Sequence, residues 1–301
     1  MTEEFDELRP SAFAVAYRML GSVSEAEDVV QEAFLRLHRA RDGGERIESP
    51  RAYLATVVSR LALDQLRSAR VRRETYVGEW LPEPLVASAD DDPAHKAEMA
   101  DSLSLAFLVL LESLSPEQRA AFLLHDVFDE PYDRIAQIIG TSEQNARQLA
   151  ARARRHVEER RPRFEASREQ REELATRFFA AAEEGDLQAL EELLAHDVVL
   201  RGDGGGKAPA LARAVYGRAR AARTLINSLR ARTRFGITWR REEVNGQPGA
   251  LFFDREGKLI SVMSLDVAEG QIQAVNSVVN PDKLRHLGPL ADVDALLRER
   301  S

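Results

Sequence analysis

Residues 140–157 read GTSEQNARQLAARARRHV, and this segment decides how the N-terminal half of the chain is interpreted. It contains four arginines and one acidic residue, although the whole chain has a formal net charge of -8. A helix that only faces solvent usually mixes both signs, because opposite charges three or four residues apart stabilise it. The composition of the segment therefore favours a polyanionic partner over a plain solvated helix.

A second short helix precedes this segment at the spacing of a helix-turn-helix. Residues 132–139 have helical periodicity, Gly140 ends that helix, and Thr141 or Ser142 caps the helix over residues 145–157. In such a motif the second helix lies in the major groove, where Arg and Gln side chains read base edges and further arginines reach phosphates. The residues expected to contact DNA are Asn145, Arg147, Gln148, Ala151, Arg152, Arg154 and Arg155.

The overall composition narrows the class of protein. The 301 residues, 44% of them apolar, suffice for two or three domains with cores of their own. The chain has no cysteine, which excludes disulfides and thiolate metal sites. The N-terminus is acidic, and no run approaches the roughly 20 apolar residues that a membrane span needs. We expect a cytoplasmic protein with no metal and no other cofactor.

The first 75 residues have the pattern of a helical bundle. Apolar positions recur at helical spacing in a first helix, in a second that Ser24 would cap, and in a third that begins at Pro50. The loop over residues 41–50 joins the last two, and the third helix ends in a basic segment. Arginines at that end would suit single-stranded DNA, which binds in positively charged grooves.

The second helix carries a polar and acidic stripe beside its apolar one. Residues three, four and seven positions apart share one face of a helix, and here that face is mostly acidic. It suits a basic partner surface, and a solvated face of a core helix is the alternative. The stripe consists of Glu27, Asp28, Gln31, Glu32 and Leu35.

Two segments resemble a known family. Residues 26–40, AEDVVQEAFLRLHRA, and 49–70, SPRAYLATVVSRLALDQLRSAR, are similar to the paired segments of bacterial sigma factors of the extracytoplasmic-function type. The resemblance implies that the first segment binds the clamp coiled coil of core RNA polymerase. It also implies that the arginine-rich helix reads the minus-thirty-five element in a domain near the polymerase flap. The implied minus-ten contacts are Tyr53, Ser59, Arg60, Asp64, Arg67 and Arg70.

Three of the implied minus-ten positions depart from the family pattern. Many members carry Arg-Asn where this chain has Ser59 and Arg60, and often tryptophan where it has Tyr53. The general role of the segment is kept, and the sequence of the minus-ten element that it would read is not fixed by the resemblance.

The C-terminal half has a different character. Helical periodicity after Leu174 gives way to a strand over residues 198–201, and a helix near residues 212–230 follows. The runs GALFFD, KLISVMSLDV and QIQAVNSVVN are separated by REG and AEG turns, which predicts an antiparallel meander in an α+β domain. Residues 174–287 resemble the SnoaL-like branch of the cone-shaped NTF2 fold.

Three short motifs resemble those of a subgroup of these sigma factors that carries such an extension. They are YVGEWLPEPL at 76–85, DGGGK at 203–207 and NPDKL at 280–284. The resemblance implies that the extension contacts the DNA-binding core and regulates it. The implied regulatory residues are Trp80, Leu81, Pro82, Asp203, Gly204, Gly205, Gly206, Lys207, Asn280, Pro281, Asp282, Lys283 and Leu284.

The predicted architecture is multidomain, with two all-α sigma domains and one α+β domain. A three-to-four-helix bundle (residues 1–75) and a helix-turn-helix domain (99–161) are joined by an acidic, proline-rich linker (76–98). A second linker (162–173) leads to the cone-shaped SnoaL/NTF2-like domain (174–287) and a tail (288–301). We expect Trp80–Leu85, with an exposed tryptophan, to dock on the C-terminal domain, and Lys207 to meet an acidic partner such as Asp90–Asp92.

The predicted function is a non-enzymatic sigma factor that binds core RNA polymerase and promoter DNA and is autoregulated by its C-terminal domain. The acid–base candidates His196, Asp197, Asp203 and Asp266 show no spacing that fixes a catalytic pair. Two alternatives stay open: a helix-turn-helix regulator with a ligand-sensing cone, and a cyclase or isomerase fused to a DNA-binding module. The sequence leaves open whether the cone pocket holds a small ligand.

Overall fold

A computed structural model describes residues 2–86, 104–159, 166–234 and 236–293, without the side chains at 2–4, 6, 69–74 and 232–234. The chain divides into two compact units. The first contains residues 1–75 and 108–161, and the second contains residues 76–107 and 162–301. The segment that follows the third helix therefore groups with the C-terminal half.

The first unit begins with three long helices, as the periodicity predicts: α1 (Thr2–Leu20), α2 (Val23–Asp42) and α3 (Pro50–Glu74). Their shared core contains Tyr17, Leu20, Val30, Leu54 and Val58, all nearly inaccessible to solvent. The cap of α2 differs from the expectation of Ser24. Ser22 precedes the helix, and its hydroxyl oxygen accepts a bond from the Glu25 N–H at 3.2 Å.

Four further helices follow in chain order: α4 (Leu105–Leu111), α5 (Pro116–Phe122), α6 (Tyr132–Ile139) and α7 (Glu143–Glu158). Gly140 ends α6 in the left-handed conformation with φ 79°, which costs glycine little, and Ser142 caps α7. The predicted helix-turn-helix is confirmed. One turn of π-helix, Leu123–Val127, extends α5 and was not predicted.

The second unit contains a six-stranded mixed sheet in the order β2-β1-β6-β5-β4-β3. β1 and β6 are parallel, and the other neighbouring pairs are antiparallel. The strands are β1 (Leu194–Asp203), β2 (Val215–Tyr216), β3 (Thr238–Val244), β4 (Gln247–Phe253), β5 (Leu259–Ala268) and β6 (Gln271–Val278). The meander predicted over β4, β5 and β6 is present.

Three helices cover one face of this sheet: α8 (Arg168–Glu184), α9 (Leu187–Leu193) and α10 (Arg218–Arg234). Phe178 and Leu225 from the helices pack with Phe252 and Leu265 from the strands in one continuous core. Every residue of β5 is buried, so both faces of the central sheet are covered. The predicted α+β domain is confirmed. Among the described helices, none has the length and apolarity that a membrane crossing requires.

Candidate functional site

Helix α7 presents one face to its own domain and another to solvent. Ala146, Ala150, Ala153 and Val157 are buried at intervals of three and four residues. The polar positions between them point outward, which leaves the surface available to a groove of DNA. The exposed members of the predicted set are Asn145, Arg147, Gln148, Ala151, Arg152 and Arg155.

Two arginines of α7 are held by neighbouring side chains. The guanidinium of Arg147 pairs with Glu143 and lies 4.6 Å from the centre of the Tyr132 ring. Arg154 is half-buried, and its Nη2 lies 2.6 Å from a carboxylate oxygen of Asp126. The bond to Asp126 raises the pKa of Arg154. Arg154 is therefore positioned by a protein carboxylate, whereas Arg152 and Arg155 extend into solvent.

The predicted minus-ten residues lie on α3 and differ in accessibility. Arg60, Asp64 and Arg67 are exposed, Tyr53 is half-buried, and the side chain of Arg70 lies outside the described residues. Ser59 is fully buried, and its hydroxyl donates to the carbonyl oxygen of Ala55 at 2.6 Å. Ser59 therefore packs the helical bundle and does not present its hydroxyl to DNA in this conformation, which corrects its assignment.

The exposed basic face of α3 is bonded to α5 and α6. The Nη2 of Arg60 donates to the carbonyl oxygen of Gln137 at 3.2 Å, and the Nε of Arg67 donates to Glu117 at 3.0 Å. From the other side, Arg134 of α6 donates to the hydroxyl of Thr56 at 2.9 Å. In this conformation the candidate minus-ten face therefore contacts the helix-turn-helix domain.

A buried arginine also joins α5 to α1. The guanidinium of Arg119 is almost fully buried, pairs with Glu112, and donates to the carbonyl oxygen of Arg18 at 3.0 Å. Burial lowers the pKa of Arg119. Sequence reasoning missed this residue, because Arg119 sits in an ordinary helical position and its partner carbonyl lies far away in the chain.

The predicted polymerase-binding stripe is placed on the outer face of α2. Asp28, Gln31 and Leu35 are exposed. Glu27 pairs with Arg9 of α1 at 2.6 Å, and Glu32 pairs with Arg36 at 2.8 Å.

An apolar groove accompanies this stripe and was not predicted. It encloses about 530 Å³ between α1 and α2, and its lining includes Phe5, Val30, Phe34 and Leu35. The rings of Phe5 and Phe34 lie 4.4 Å apart between their centres. Phe5 lies in an acidic N-terminal segment, so the sequence did not indicate that its ring lines an apolar groove. The groove and the stripe together form a surface with both an apolar anchor and acidic neighbours.

The segment that follows α3 is bound to the C-terminal domain through Tyr76 and Leu81. The residues that hold them, Asp203, Asn280 and Lys283, are named the linker-binding cluster. Asp203 accepts hydrogen bonds from the Leu81 N–H at 2.8 Å and from the Tyr76 hydroxyl at 2.5 Å. The Lys283 Nζ lies 2.6 Å from Asp203, and it also donates to the Leu81 carbonyl. Asn280 donates to the Tyr76 hydroxyl at 2.8 Å.

The linker-binding cluster is largely removed from water. Asp203 is fully buried, and Leu81 beside it is fully buried as well. Burial, together with the bond to the Asp203 carboxylate, raises the pKa of Tyr76 above its ordinary value. A buried ion pair of this kind requires its remaining hydrogen-bonding groups to be satisfied, and the linker backbone satisfies them here.

The structure differs from the sequence-based predictions in the exposure of Trp80 and in the ion-pair partner of Lys207. Trp80 is half-buried rather than exposed, and the Lys283 Nζ lies 4.2 Å from its ring centre. Lys207 pairs with Asp282, so the ion pair lies within the C-terminal domain. The proposed partner segment Asp90–Asp92 lies outside the described residues.

The glycines of DGGGK permit a close approach of two segments. Gly205 has φ 59°, and a Cβ there would lie 2.2 Å from the Asn280 side-chain nitrogen. Gly206 has φ 70° and faces Val77, and a Cβ on Gly204 would meet the carbonyl oxygen of Ala208 at 2.1 Å. Side chains at these positions would separate the DGGGK loop from its neighbours.

A second anchor fixes the end of the same linker segment. The Leu85 N–H donates to the Asn245 side-chain oxygen at 2.9 Å, and the Asn245 N–H donates to the Leu85 carbonyl at 2.8 Å. The ring of His286 lies 2.8 Å from the Pro84 carbonyl. Pro82 is buried, as is Leu284, and Pro281 begins a short 3-10 turn. Asn245 and His286 carried no sequence signal.

The four acid–base candidates do not form a catalytic pair. His196 and Asp197 are exposed on β1, and Asp203 is bound to Lys283. Asp266 is buried and accepts a hydrogen bond from the Asn276 side chain at 2.7 Å. Burial raises the pKa of Asp266 to about 6, against the opposing effects of the Ala106 N–H and Arg201. Each buried carboxylate therefore has structural partners of its own.

Comparison with known proteins agrees with these observations. Residues 5–72 match the Sigma-70 region 2 family, and residues 104–157 match Sigma-70 region 4. The chain is 41% identical to the ECF RNA polymerase sigma factor SigJ of Mycobacterium tuberculosis, over 93% of this chain and 92% of that protein. It is 35% identical to the probable ECF RNA polymerase sigma factor SigI of the same species, over 90% of each.

One solved structure gives the same result over nearly the whole chain. The crystal structure of M. tuberculosis SigJ aligns with a TM-score of 0.78 and 38% identity, over 97% of this chain and 100% of that chain. An NTF2-like protein from Burkholderia xenovorans aligns with 40% of this chain and 96% of its own, at 18% identity and a TM-score of 0.28. The helix-turn-helix, the region 2 bundle and the full-length similarity show that this chain belongs to the extracytoplasmic-function sigma factors of RNA polymerase.

Proposed function

We propose that this sigma factor engages core RNA polymerase through α2, recognises a two-part promoter through α3 and α7, and is regulated by its own C-terminal domain. The contact between the linker and the linker-binding cluster carries this proposal. Tyr76 and Leu81 belong to the connection between α3 and α4, and both are bonded to Asp203 of the C-terminal domain. A regulator fused to the chain can in this way act on the segment that joins the two promoter-binding domains.

The contacts of α3 suggest the direction of this regulation. Arg60 and Arg67, which are proposed to hold minus-ten DNA, are bonded to Gln137 and Glu117. Promoter binding by α3 requires these bonds to exchange for bonds to DNA. A linker held by the C-terminal domain restricts the separation that this exchange needs. The C-terminal domain is therefore proposed to restrain activity until the linker is released.

The polymerase contact is proposed to use the groove between α1 and α2. Leu35 and the Phe5–Phe34 pair supply the apolar anchor, and Asp28 supplies an exposed negative charge. An apolar centre with a charged rim is typical of protein interfaces. The clamp coiled coil of polymerase is the expected partner.

Run-off transcription with purified core polymerase tests the proposal on the full-length chain. Tyr76→Phe removes the hydroxyl that bonds Asp203 and Asn280 while it keeps the ring, and Tyr216→Phe is the matched control at an exposed tyrosine of β2. We expect a transcript from the wild type, more from Tyr76→Phe, and no change for Tyr216→Phe. No transcript from any folded form contradicts the sigma role. Equal transcript from the wild type and Tyr76→Phe contradicts the autoregulation.

A further inference from the structure

The C-terminal domain contains a long basic segment without acidic residues. Between Gly204 and Arg241 the chain has nine arginines and one lysine but no Asp or Glu, although its net charge is -8. Helix α10 lies inside this segment. Such a separation of charge creates a local positive field in a protein that is acidic overall.

The geometry of α10 aligns several of these arginines. Ala222, Leu225 and Ile226 are buried in the core of the domain. Arg220, Arg223, Asn227 and Arg230 are exposed and follow one another at intervals of three, four and three residues, which places them along one line of the helix. At 1.5 Å per residue this line is about 15 Å long. We name these four residues the α10 stripe.

Neighbouring arginines of the same domain behave differently. Arg168 at the start of α8 pairs with Glu243 at 3.2 Å, and Arg241 of β3 pairs with Glu172 of α8 at 2.8 Å. These are the contacts of ordinary surface arginines. Arg220, Arg223 and Arg230 form no ion pair within the described part of the chain. Their charge is left available to a partner outside the molecule.

We propose that the α10 stripe binds phosphates of promoter DNA when the sigma factor is engaged with polymerase. Duplex DNA offers a regular row of negative charges, and the guanidinium fork matches the geometry of a phosphate. Asn227 adds a neutral hydrogen-bond donor between the arginines. The contact reads no bases, so it strengthens promoter binding independently of sequence. The inference extends the proposed function, because it assumes that the chain is recruited to DNA.

The salt dependence of promoter binding tests the contact. The variant Arg220→Gln/Arg223→Gln keeps Arg230, whose guanidinium packs beside Gly185 at the end of α8. In the polymerase complex, the magnitude of the negative slope of log K against log salt is expected to decrease by about 2. Each lost phosphate contact removes about 0.9 from that magnitude. The loss is expected to be the same on a promoter with altered flanking sequence.

A matched variant controls for net charge. Arg171→Gln/Arg177→Gln also removes two arginines, but from α8, where Glu172 and Glu173 are neighbours. It is expected to leave the salt slope unchanged. An unchanged slope in the α10 variant, or an equal decrease in both variants, overturns the proposal.

Crosslinking identifies the partner directly. Because the chain has no cysteine, Asn227→Cys creates a single attachment point for a photoreactive group, and Gln188→Cys on α9 is the control. Crosslinks from position 227 to promoter DNA, and none from position 188, are expected. Crosslinks only to a polymerase subunit, or none at all, overturn the proposal. If the wild type gives run-off transcript but no such crosslink, the DNA contact of α10 fails while the sigma role stands.

Discussion

Lys283 and Asp203 form an ion pair of 2.6 Å with side chains that are 9% and 0% exposed. The linker completes the pair from both sides, because the Leu81 N–H donates to Asp203 and the Leu81 carbonyl accepts from Lys283. Two residues that are distant in the sequence thus bind both backbone polar groups of one linker residue. The specificity of the linker contact therefore resides in the backbone at Leu81 as well as in the surrounding side chains.

The first prediction concerns this pair. Asp203→Asn leaves the Lys283 ammonium buried without a counter-charge, and the expected loss is about 3–5 kcal/mol in the free energy of unfolding. Chemical denaturation measures the loss, and hydrogen exchange at Leu81 should become faster. Asp282→Asn, which breaks the exposed pair with Lys207, is the control and should cost about 1 kcal/mol or less.

A double variant checks whether the two charges act together. Asp203→Asn/Lys283→Met removes both charges, so it should cost less than the sum of the two single variants. Additive losses would show that Asp203 and Lys283 contribute independently, and the ion pair would then not explain the stability of the cluster.

The second prediction concerns pH. The pKa of Asp266 is raised to about 6 by burial, from an ordinary value of 3.8, so the folded state holds this proton more tightly than the unfolded state. Stability from this group is present at low pH and is lost as pH rises from about 4 to 6. Asp266→Asn should remove this contribution, so the free energy of unfolding of the variant should decrease less between pH 4 and 7 than that of the wild type. The difference between the two decreases should be at most about 3 kcal/mol.

Denaturation of the wild type and the variant across this range measures the difference. Asp197→Asn, at an exposed position on β1, should follow the wild-type profile. Parallel profiles for the wild type and Asp266→Asn would contradict the assignment of the proton to Asp266.

The third prediction separates the arginines of α7. Arg147→Ala should reduce selectivity for the minus-thirty-five element. Arg152→Ala should weaken all promoters evenly and lower the salt slope by about 1. Arg154→Ala should in addition destabilise the domain by at most about 1 kcal/mol, because it removes the ion pair with Asp126. Promoter binding at several salt concentrations, with thermal unfolding, distinguishes the three variants. Identical profiles would remove this division of roles.

The fourth prediction concerns the polymerase interface. Asp28→Arg reverses an exposed charge beside the apolar groove, so it should reduce binding to core polymerase by at least tenfold, about 1.4 kcal/mol, while the helix content stays constant. Glu183→Arg, an exposed reversal on α8, is the control and should bind normally. Unchanged binding of Asp28→Arg would place the interface elsewhere.

Local signals explain what could be predicted from the sequence. Gly140 ends α6 and Ser142 caps α7, and together they specify the helix-turn-helix. Both signals depend only on residues within one helical turn, so the sequence alone reveals them. The strands β4, β5 and β6 were predicted because apolar runs alternate with short turns. β3 was missed, since Thr238–Val244 is an edge strand that exposes charged residues and has little apolar periodicity.

Long-range contacts explain what could not be predicted. Asp203 belongs to a recognisable motif, but nothing local indicates that it binds Lys283 and the Leu81 backbone. Ser59 was placed at a DNA surface by its position in the family pattern, whereas its burial depends on how the three helices of the bundle pack. Asn245 and Arg119 act on carbonyl or amide groups of distant segments, which no sequence pattern records.

The buried guanidinium of Arg119 lowers the free-energy cost of separating α1 from α5. The Arg119 guanidinium, which pairs with Glu112 and donates to the Arg18 carbonyl, loses its hydration when it is buried. It regains that hydration when the two helices separate, so rehydration offsets part of the free-energy cost of separation. Inverting a two-state population from 1:99 to 99:1 requires about 5.5 kcal/mol of differential binding. Separation of α1 from α5 therefore needs differential binding only for the part of the cost that rehydration of Arg119 does not offset.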